Sequence, residues 1–335
     1  MSKFIERKNY KSKLSPYETQ IAIGTLKRSF EDNLALNLAL KRVSAPLFVN
    51  PKSGLNDNLS GVERPVSFDI LQTKETAEVV QSLAKWKRIA LKKYGFPVGE
   101  GIYTDMNAIR RDDDMDNLHS IYVDQWDWEK VIDLKSRNIA YLKQTVCSIV
   151  NAIVKTQNTL QLKYPVLSTK LLDKVSFITT QELENMYPGL SPKERENTYL
   201  KTHKTVFLMQ IGDLLKSGNR HDSRAPDYDD WQLNGDILFY NELLDCAFEI
   251  SSMGIRVDSL SLESQLEKAN CTGRKELDYH KMLLENKLPL TIGGGIGQSR
   301  LSMLLLEKSH IGEVQVSLWD EDTISNCNKA GIFLL

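Results

Sequence analysis

An α+β fold with a mostly antiparallel sheet flanked by helices is what the sequence predicts, and two observations predict it. Strand-like runs arrive in groups, at 66–71, 78–83, 101–109 and 121–128 and again at 205–211, 235–240 and 247–251. They lack the regular helical crossovers that a doubly wound parallel sheet requires. Helical segments precede, separate and follow these groups; the clearest, 138–160, carries Ile139, Leu142, Val146, Ile149, Val150 and Ile153 at helical spacing. No repeat, low-complexity stretch or linker divides the chain, so one domain over 1–335 is expected, with 1–14 as an N-terminal extension.

The elements follow in order. Ser15, Pro16 and Glu18 form a helix start: the serine caps, the proline suits the first turn and the glutamate completes a capping box. Ile21, Leu26 and Phe30 continue a loosely helical pattern. Residues 41–49 read as an extended strand broken by Pro46, and 84–94 as a basic helix between the second and third strands. Shorter helices are expected near 180–187, 191–203, 258–270 and 273–286, and a last one over 298–307.

Composition narrows the function. The 335 residues are 41% hydrophobic and 26% charged, with 43 Lys plus Arg against 44 Asp plus Glu. That balance argues against a nucleic-acid coat or a membrane-surface protein. No apolar run reaches the roughly 20 residues that span a bilayer. Residues 1–13 are basic and polar, without the apolar stretch of a secretory signal, so a cytoplasmic protein is expected. The four cysteines and five histidines are scattered, with no CxxC pair, which points away from structural zinc and disulfides.

Several segments carry chemistry. Gly293, Gly294, Gly295 and Gly297 precede Arg300. Glycines allow close approach of backbone to a ligand, and an arginine can hold a phosphate or cover a base. The same run also reads as a tight turn before a helix. Residues 220–231 mix both charges with two aromatics and a proline, which suits either a salt-bridged surface loop or a loop that binds a zwitterion. Asp236 and Glu249 sit in apolar strand-like settings; they either face solvent or form a hard-oxygen site for magnesium on a triphosphate. Residues 82–88 form a basic cluster that also reads as an exposed helix face. Across 119–129, period two places Tyr122, Asp124, Trp126 and Trp128 on one face and Gln125, Asp127 and Glu129 on the other, the latter a polar pocket floor. Residues 57–61 read only as an acidic, turn-rich loop.

Taken together, these segments resemble the class II aminoacyl-tRNA synthetase catalytic domain. The first helix and the strand with Pro46 resemble its dimer-forming first motif. Arg110, a loop and 119–129 resemble its second, and Gly295-Ile296-Gly297-Gln298-Ser299-Arg300 its third. More closely, 57–61, 82–88, 99–101, 122–129, 220–231, 248–258 and 291–301 resemble the ammonia-dependent asparagine synthetase family. The likeness spans roughly 15–320. The extreme N-terminus and the tail after Trp319 look unrelated, and the stretch between Asp230 and Asn234 looks short.

The resemblance implies a synthetase-like domain without an anticodon-binding domain, forming a homodimer. It implies an ATP-dependent ligase that makes asparagine from aspartate and ammonia through β-aspartyl-AMP, releasing AMP and pyrophosphate. Arg110 is then expected at the α-phosphate and attacking carboxylate, and Arg300 at the adenine or γ-phosphate. Gly295 and Gly297 lie beside the nucleotide, and Asp236 and Glu249 hold magnesium. The aspartate pocket is expected to use Ser82, Lys87, Gln125, Asp127, Arg224 and Asp229, with Ser251 or Ser252 nearby and Arg88 and Arg256 as further members. In it, Lys87 meets a substrate carboxylate and Asp127 or Asp229 the α-amine. Asp57 is expected to bind ammonium and take a proton, or else to order its loop or bind the α-amine.

Two other readings fit the same fold: a paralogue that aminoacylates a carrier or a tRNA, and a non-catalytic amino-acid sensor. The near-neutral charge and lack of an anticodon domain weigh against tRNA. A sensor would be expected to lose Arg110, Arg300, Asp236 and Glu249, which are all present. Glutamine-dependent synthesis would need a nucleophilic cysteine after Met1, and Ser2 stands there.

Overall fold

The computed structural model describes residues 4–57, 59 and 63–335. In chain order the elements are α1 (Pro16–Leu38), β1 (Leu40–Arg42), β2 (Phe48–Val49), β3 (Ser67–Ile70), β4 (Glu75–Val79), α2 (Ala84–Tyr94), β5 (Gly101–Ile109) and β6 (Tyr122–Val131). Then come α3 (Ile139–Lys163), β7 (Ser176–Thr179), α4 (Thr180–Met186), α5 (Pro192–His203), β8 (Thr205–Met209), β9 (Asp229–Asn241) and β10 (Cys246–Arg256). The chain ends with α6 (Ser259–Lys268), α7 (Asp278–Leu284), β11 (Thr291–Gly297), α8 (Gln298–Leu305) and α9 (Glu321–Lys329).

Eight strands form the main sheet in the order β1-β5-β6-β11-β10-β9-β8-β7, and β2, β4 and β3 form a small one. Only the outer pairs β1·β5 and β7·β8 are parallel, so the sheet is mostly antiparallel, as expected. One face of the main sheet carries the core. The Ser15 capping box fixes the start of α1, whose Ala22, Leu26, Phe30, Leu34 and Leu38 are fully buried. Ile21 lies off this stripe and is exposed, because the buried face runs at i, i+4 from Ala22. Trp126 and Trp128 on β6 meet that helix: the Phe30 and Trp126 rings lie 4.6 Å apart, and the Trp126 indole N–H donates to Glu31 at 2.9 Å. Truncating either tryptophan removes a buried aromatic, a loss of about 3–5 kcal/mol.

Several boundaries differ from the sequence expectations. The strand over 41–49 is two strands, split where Pro46 removes a donor. β9 and β10 extend well beyond 235–240 and 247–251, because they pair along almost their whole length. Asp230 to Asn234 is continuous strand, so no flap stands there. The helix near 273–286 is a 3-10 turn at Thr272–Glu276 followed by α7. β7 and α9 have no counterpart among the elements expected from the sequence. The tail is not an appendage: Cys327 and Ile332 are buried, and the Leu335 N–H donates to the Gly312 carbonyl at 2.9 Å.

Candidate active site

The face of the sheet opposite α1 opens into a cavity of about 610 Å³. Strand register builds its floor. Thr104, Asp127, Gly295, Ser252 and Asp236 lie in one row across β5, β6, β11, β10 and β9. The glycine run is the central strand of this floor. It is a strand and not the tight turn that was one of its two readings. Side chains from β6 lie across it. A Cβ on Gly293 would stand 2.0 Å from Glu129 Oε2, and one on Gly295 2.4 Å from Gln125 Oε1. A side chain at Gly293 would collide with a carboxylate that Arg256 and Thr291 hold in place, whereas one at Gly295 would have to displace the end of the Gln125 side chain.

A bulge in β10 decides between two serines. The register shifts between Glu249 and Ser251, inserting one residue and reversing the alternation. Glu249 and Ser252 therefore both line the cavity, whereas Ser251 is turned away with its hydroxyl buried and unpartnered.

One side of the cavity is a closed ionic network. Arg256 donates to Glu129 through Nε at 3.0 Å and Nη2 at 2.7 Å, and through Nη1 to Asp229. Thr291 Oγ1 adds a bond to Glu129 at 2.7 Å. Burial alone would push the Glu129 carboxyl up, but the Arg256 charge, Lys87 and Thr291 hold it below its ordinary value. Burial wins at Asp229, whose carboxyl is pushed up although Arg256 and Arg224 act against it. Lys87 is wholly buried; its ammonium donates to Asp127 Oδ1 and to the carbonyls of Trp128 at 2.9 Å and Gly294 at 3.0 Å. All three of its N–H directions are thus taken inside the protein. Asp127 Oδ2 is left buried without a partner among the described residues, an acceptor on the cavity wall. Gln125 and Ser82 line the same wall, and Ser82 Oγ also accepts from the Ala84 N–H at 3.1 Å. Arg88 lies outside the cavity lining, donating to the carbonyls of Pro289 at 2.8 Å and Val257 at 2.7 Å.

The other side carries looser cations. Arg110 leaves the end of β5, and its Nε has no partner among the described residues. Arg300, on the first turn of α8, reaches the Glu249 carbonyl at 3.2 Å and its carboxylate at 3.6 Å. Arg224 donates to both Asp236 oxygens, while its Nε stays unpartnered. Burial pushes the Asp236 carboxyl up, and the neighbouring Glu249 carboxylate adds to this against the pull of Arg224. Asp236 lies behind Arg224, outside the cavity lining, whereas Glu249 lies within it. Arg110, Asp113, Asp114, Asp116 and His119, on the loop between β5 and β6, complete this wall.

Asp57 enters from the loop before β3. Its carboxylate is buried and lines the cavity; Oδ1 accepts from the Leu59 N–H at 3.0 Å and Oδ2 is unpartnered among the described residues. Asn58, Ser60 and Gly61 of the expected loop lie outside the described residues. Burial pushes the Asp57 carboxyl up and the Lys85 charge works against it. Beyond Lys85 lies Asp227, wholly buried between Lys85 at 3.5 Å, Arg274 at 2.8 Å and His280 at 3.0 Å. Sequence reading missed this cluster and the pairing of Glu129 with Arg256, which are 127 residues apart. No local pattern signals either.

Residues 17–331 match the family described as aspartate–ammonia ligase. The aspartate–ammonia ligases of Ruminiclostridium cellulolyticum and Clostridium perfringens are 58% and 59% identical over 336 residues, covering all of this chain and all of each relative. The N-terminal segment and the tail after Trp319 therefore share in the likeness, contrary to the sequence expectation. A solved asparaginyl-tRNA synthetase from Pyrococcus horikoshii, complexed with asparaginyl-adenylate, superposes with a TM-score of 0.66 at 14% identity, covering 91% of this chain and 70% of that one. That likeness shows the fold: a class II synthetase-like catalytic domain. With the family matched along nearly its whole length, the chain belongs to the aspartate–ammonia ligase family.

Proposed function

We propose that this enzyme makes asparagine from aspartate and ammonia by way of β-aspartyl-AMP, and that the two walls of the cavity divide the work. The observation that carries this is the meeting in one cavity of a fixed carboxylate wall, with Asp127 Oδ2 unpartnered, and a wall of arginines with free N–H groups. A carboxylate has oxide as its leaving group, so it must be activated before ammonia can displace anything. An aspartate β-carboxylate oxygen attacks the α-phosphorus of ATP, and the bond to pyrophosphate breaks. Ammonia then attacks the carbonyl carbon of the mixed anhydride, and the bond to AMP breaks.

Arg110 meets the α-phosphate and the attacking carboxylate, and Arg300 the adenine or γ-phosphate; charge held ready for the transition state is the main source of rate in such steps. Gly295 and Gly297 leave room beside the nucleotide. Asp127 and Asp229 face the α-amine, with Gln125, Ser82 and Ser252 around the substrate. Lys87 acts as a positioning group: it holds Asp127 and the floor strand in place, because its own donors are occupied. Arg224 is free to turn from Asp236 to a substrate carboxylate.

Glu249, and Asp236 once released by Arg224, would supply hard oxygens to a magnesium ion, which takes one or two protein carboxylates together with phosphate oxygens. The raised Asp236 carboxyl beside a second carboxylate fits a cation there, once Arg224 moves aside. Magnesium supplies neutralisation of the triphosphate. Among the described residues no group of three or more His, Cys, Asp or Glu side chains is arranged to hold a metal without phosphate oxygens.

Asp57 binds ammonium and takes its proton. Its unpartnered Oδ2 supports this reading, and its raised carboxyl makes it a better proton acceptor. Asp57→Asn is expected to keep aspartate-dependent ATP–pyrophosphate exchange and to suppress asparagine formation; loss of the exchange too would sink this role. The overall reaction is tested with aspartate, magnesium ATP and an ammonium salt. Asparagine and AMP are expected, and ADP or a need for glutamine would overturn the mechanism. The resemblance of α1 and the segment through Pro46 to the dimer-forming first motif supports a homodimer, which sedimentation tests, and a cytoplasmic location is tested by fractionation. No helix among the described residues is long and apolar enough to cross a membrane.

A further inference from the structure

The loop between β5 and β6 carries Arg110, and Asp113, Asp114, Asp116 and His119 on it face the cavity. Three carboxylates on a loop beside a triphosphate need a fixed path, since like charges a few ångströms out of place repel the phosphates. Within the loop, Asp116 is held by the N–H groups of Leu118 at 2.7 Å and His119 at 2.8 Å and by the His119 ring at 2.9 Å.

The loop is held at several points: Asp112 accepts from the Arg64 N–H at 2.8 Å, Ser120 donates to Gln315 at 2.6 Å, and Asn117 ties it to the N-terminal segment. Arg111 and Asp112 are exposed, but Asn117 is wholly buried. Its Oδ1 accepts from the Ile5 N–H at 2.7 Å, and its Nδ2 donates to the carbonyls of Ile5 at 3.2 Å and Ser309 at 2.8 Å. Its own carbonyl accepts from the Ile311 N–H at 2.8 Å. The amide therefore pairs with both backbone groups of Ile5, as a neighbouring strand would. The segment around Ile5 is fixed in turn. Tyr10 donates to Glu313 at 2.9 Å, Glu313 accepts from the Ser309 N–H at 2.9 Å, and Lys308 donates to Thr19 at 2.8 Å and to Ser12. Ile311 and Gln315, beside these anchors, line the cavity.

We propose that residues 5–14 form a strap that sets the nucleotide loop through Asn117, which makes Asn117 a positioning residue for ATP. This rests on the reading of that loop as the ATP side of the site. The strap touches none of Gln125, Asp127, Asp229, Ser252 or Arg256, which hang from β6, β9 and β10. Its effect is therefore expected chiefly on the nucleotide, reaching aspartate only through Arg110.

The test is aspartate-dependent ATP–pyrophosphate exchange, with KM measured separately for ATP and aspartate, together with KM for ammonium in asparagine synthesis. Asn117→Ala is expected to raise the KM for ATP by about tenfold and leave the other two within about twofold. Ile5→Pro, which deletes the N–H that Asn117 accepts, and Tyr10→Phe should raise the same KM by smaller factors. A rise shared equally by all three substrates, or a lowered melting temperature with unchanged KM for ATP, overturns the proposal. If Asn117→Ala does not fold, the two strap variants decide: an unchanged KM for ATP in both overturns it. Absence of exchange in the parent enzyme would overturn the ATP reading itself and the strap with it. Normal exchange with unmoved variants overturns the strap alone.

Discussion

The two walls of the cavity are built by different rules. On the aspartate wall the charges are already spent on each other: Arg256 on Glu129 and Asp229, Lys87 on Asp127 and two carbonyls. All but Lys87, which sits on α2, hang from central strands, and all are buried. On the nucleotide wall Arg110 keeps an unpartnered Nε and Arg300 makes one long ion pair, while Arg224 between the walls is paired with both Asp236 oxygens. A small zwitterion must be discriminated by fixed partners, whereas a large polyanion is met by groups that can still turn. Stability and specificity are therefore coupled on the first wall and separable on the second.

That contrast can be broken by experiment. The largest effect should come from Glu129→Ala, which leaves Arg256 buried without its main partner. Unfolding by urea should show a loss of about 3–5 kcal/mol, together with loss of aspartate-dependent exchange. Arg300→Ala should behave in the opposite way. Its stability should stay within about 0.5 kcal/mol of the parent, while the KM for ATP rises by about 10–100-fold. A large drop in stability there would erase the distinction.

Acid should reach the buried Asp227 cluster only below the ordinary carboxylate range. The Asp227 carboxyl is held far below its ordinary 3.8, chiefly by Lys85, His280 and Arg274 acting against burial. Its contribution is thus present above that unfolded value and is lost as pH falls toward the folded one. Over that window Asp227→Asn should flatten the rise of stability with pH by about 1.4 kcal/mol per pH unit, read from urea midpoints. The smallest effect separates neighbours: Ser251→Ala should leave the KM for aspartate unchanged, whereas Ser252→Ala raises it about tenfold. Equal effects would mean that the β10 bulge does not set the wall.

Much of this was legible in the sequence, and the reasons are physical. The capping box at Ser15, the basic helix over 84–94 and the alternation over 119–129 are local signals, and the structure keeps all three. The same alternation put Gln125 and Asp127 on the cavity wall; Glu129 lies behind them, and Tyr122 and Asp124, expected on the opposite face, also line the cavity. What stayed hidden depends on register or on distance in sequence. The choice of Ser252 over Ser251 needs the bulge. The saturation of Lys87 needs Gly294, 207 residues away. Asn117 reads as one more polar loop residue until Ile5 is found beside it.

The floor strand β11 has a consequence for how such a site can change. Its shape is a cast of its neighbours: Glu129 and Gln125 fill the volume that side chains at Gly293 and Gly295 would need. A substitution on β11 alone collides, and one that shortens Gln125 alone leaves a void. Only paired exchange between β6 and β11 keeps the surface level, so a substrate of different size is accommodated by trading bulk between two strands, with neither motif able to drift without the other.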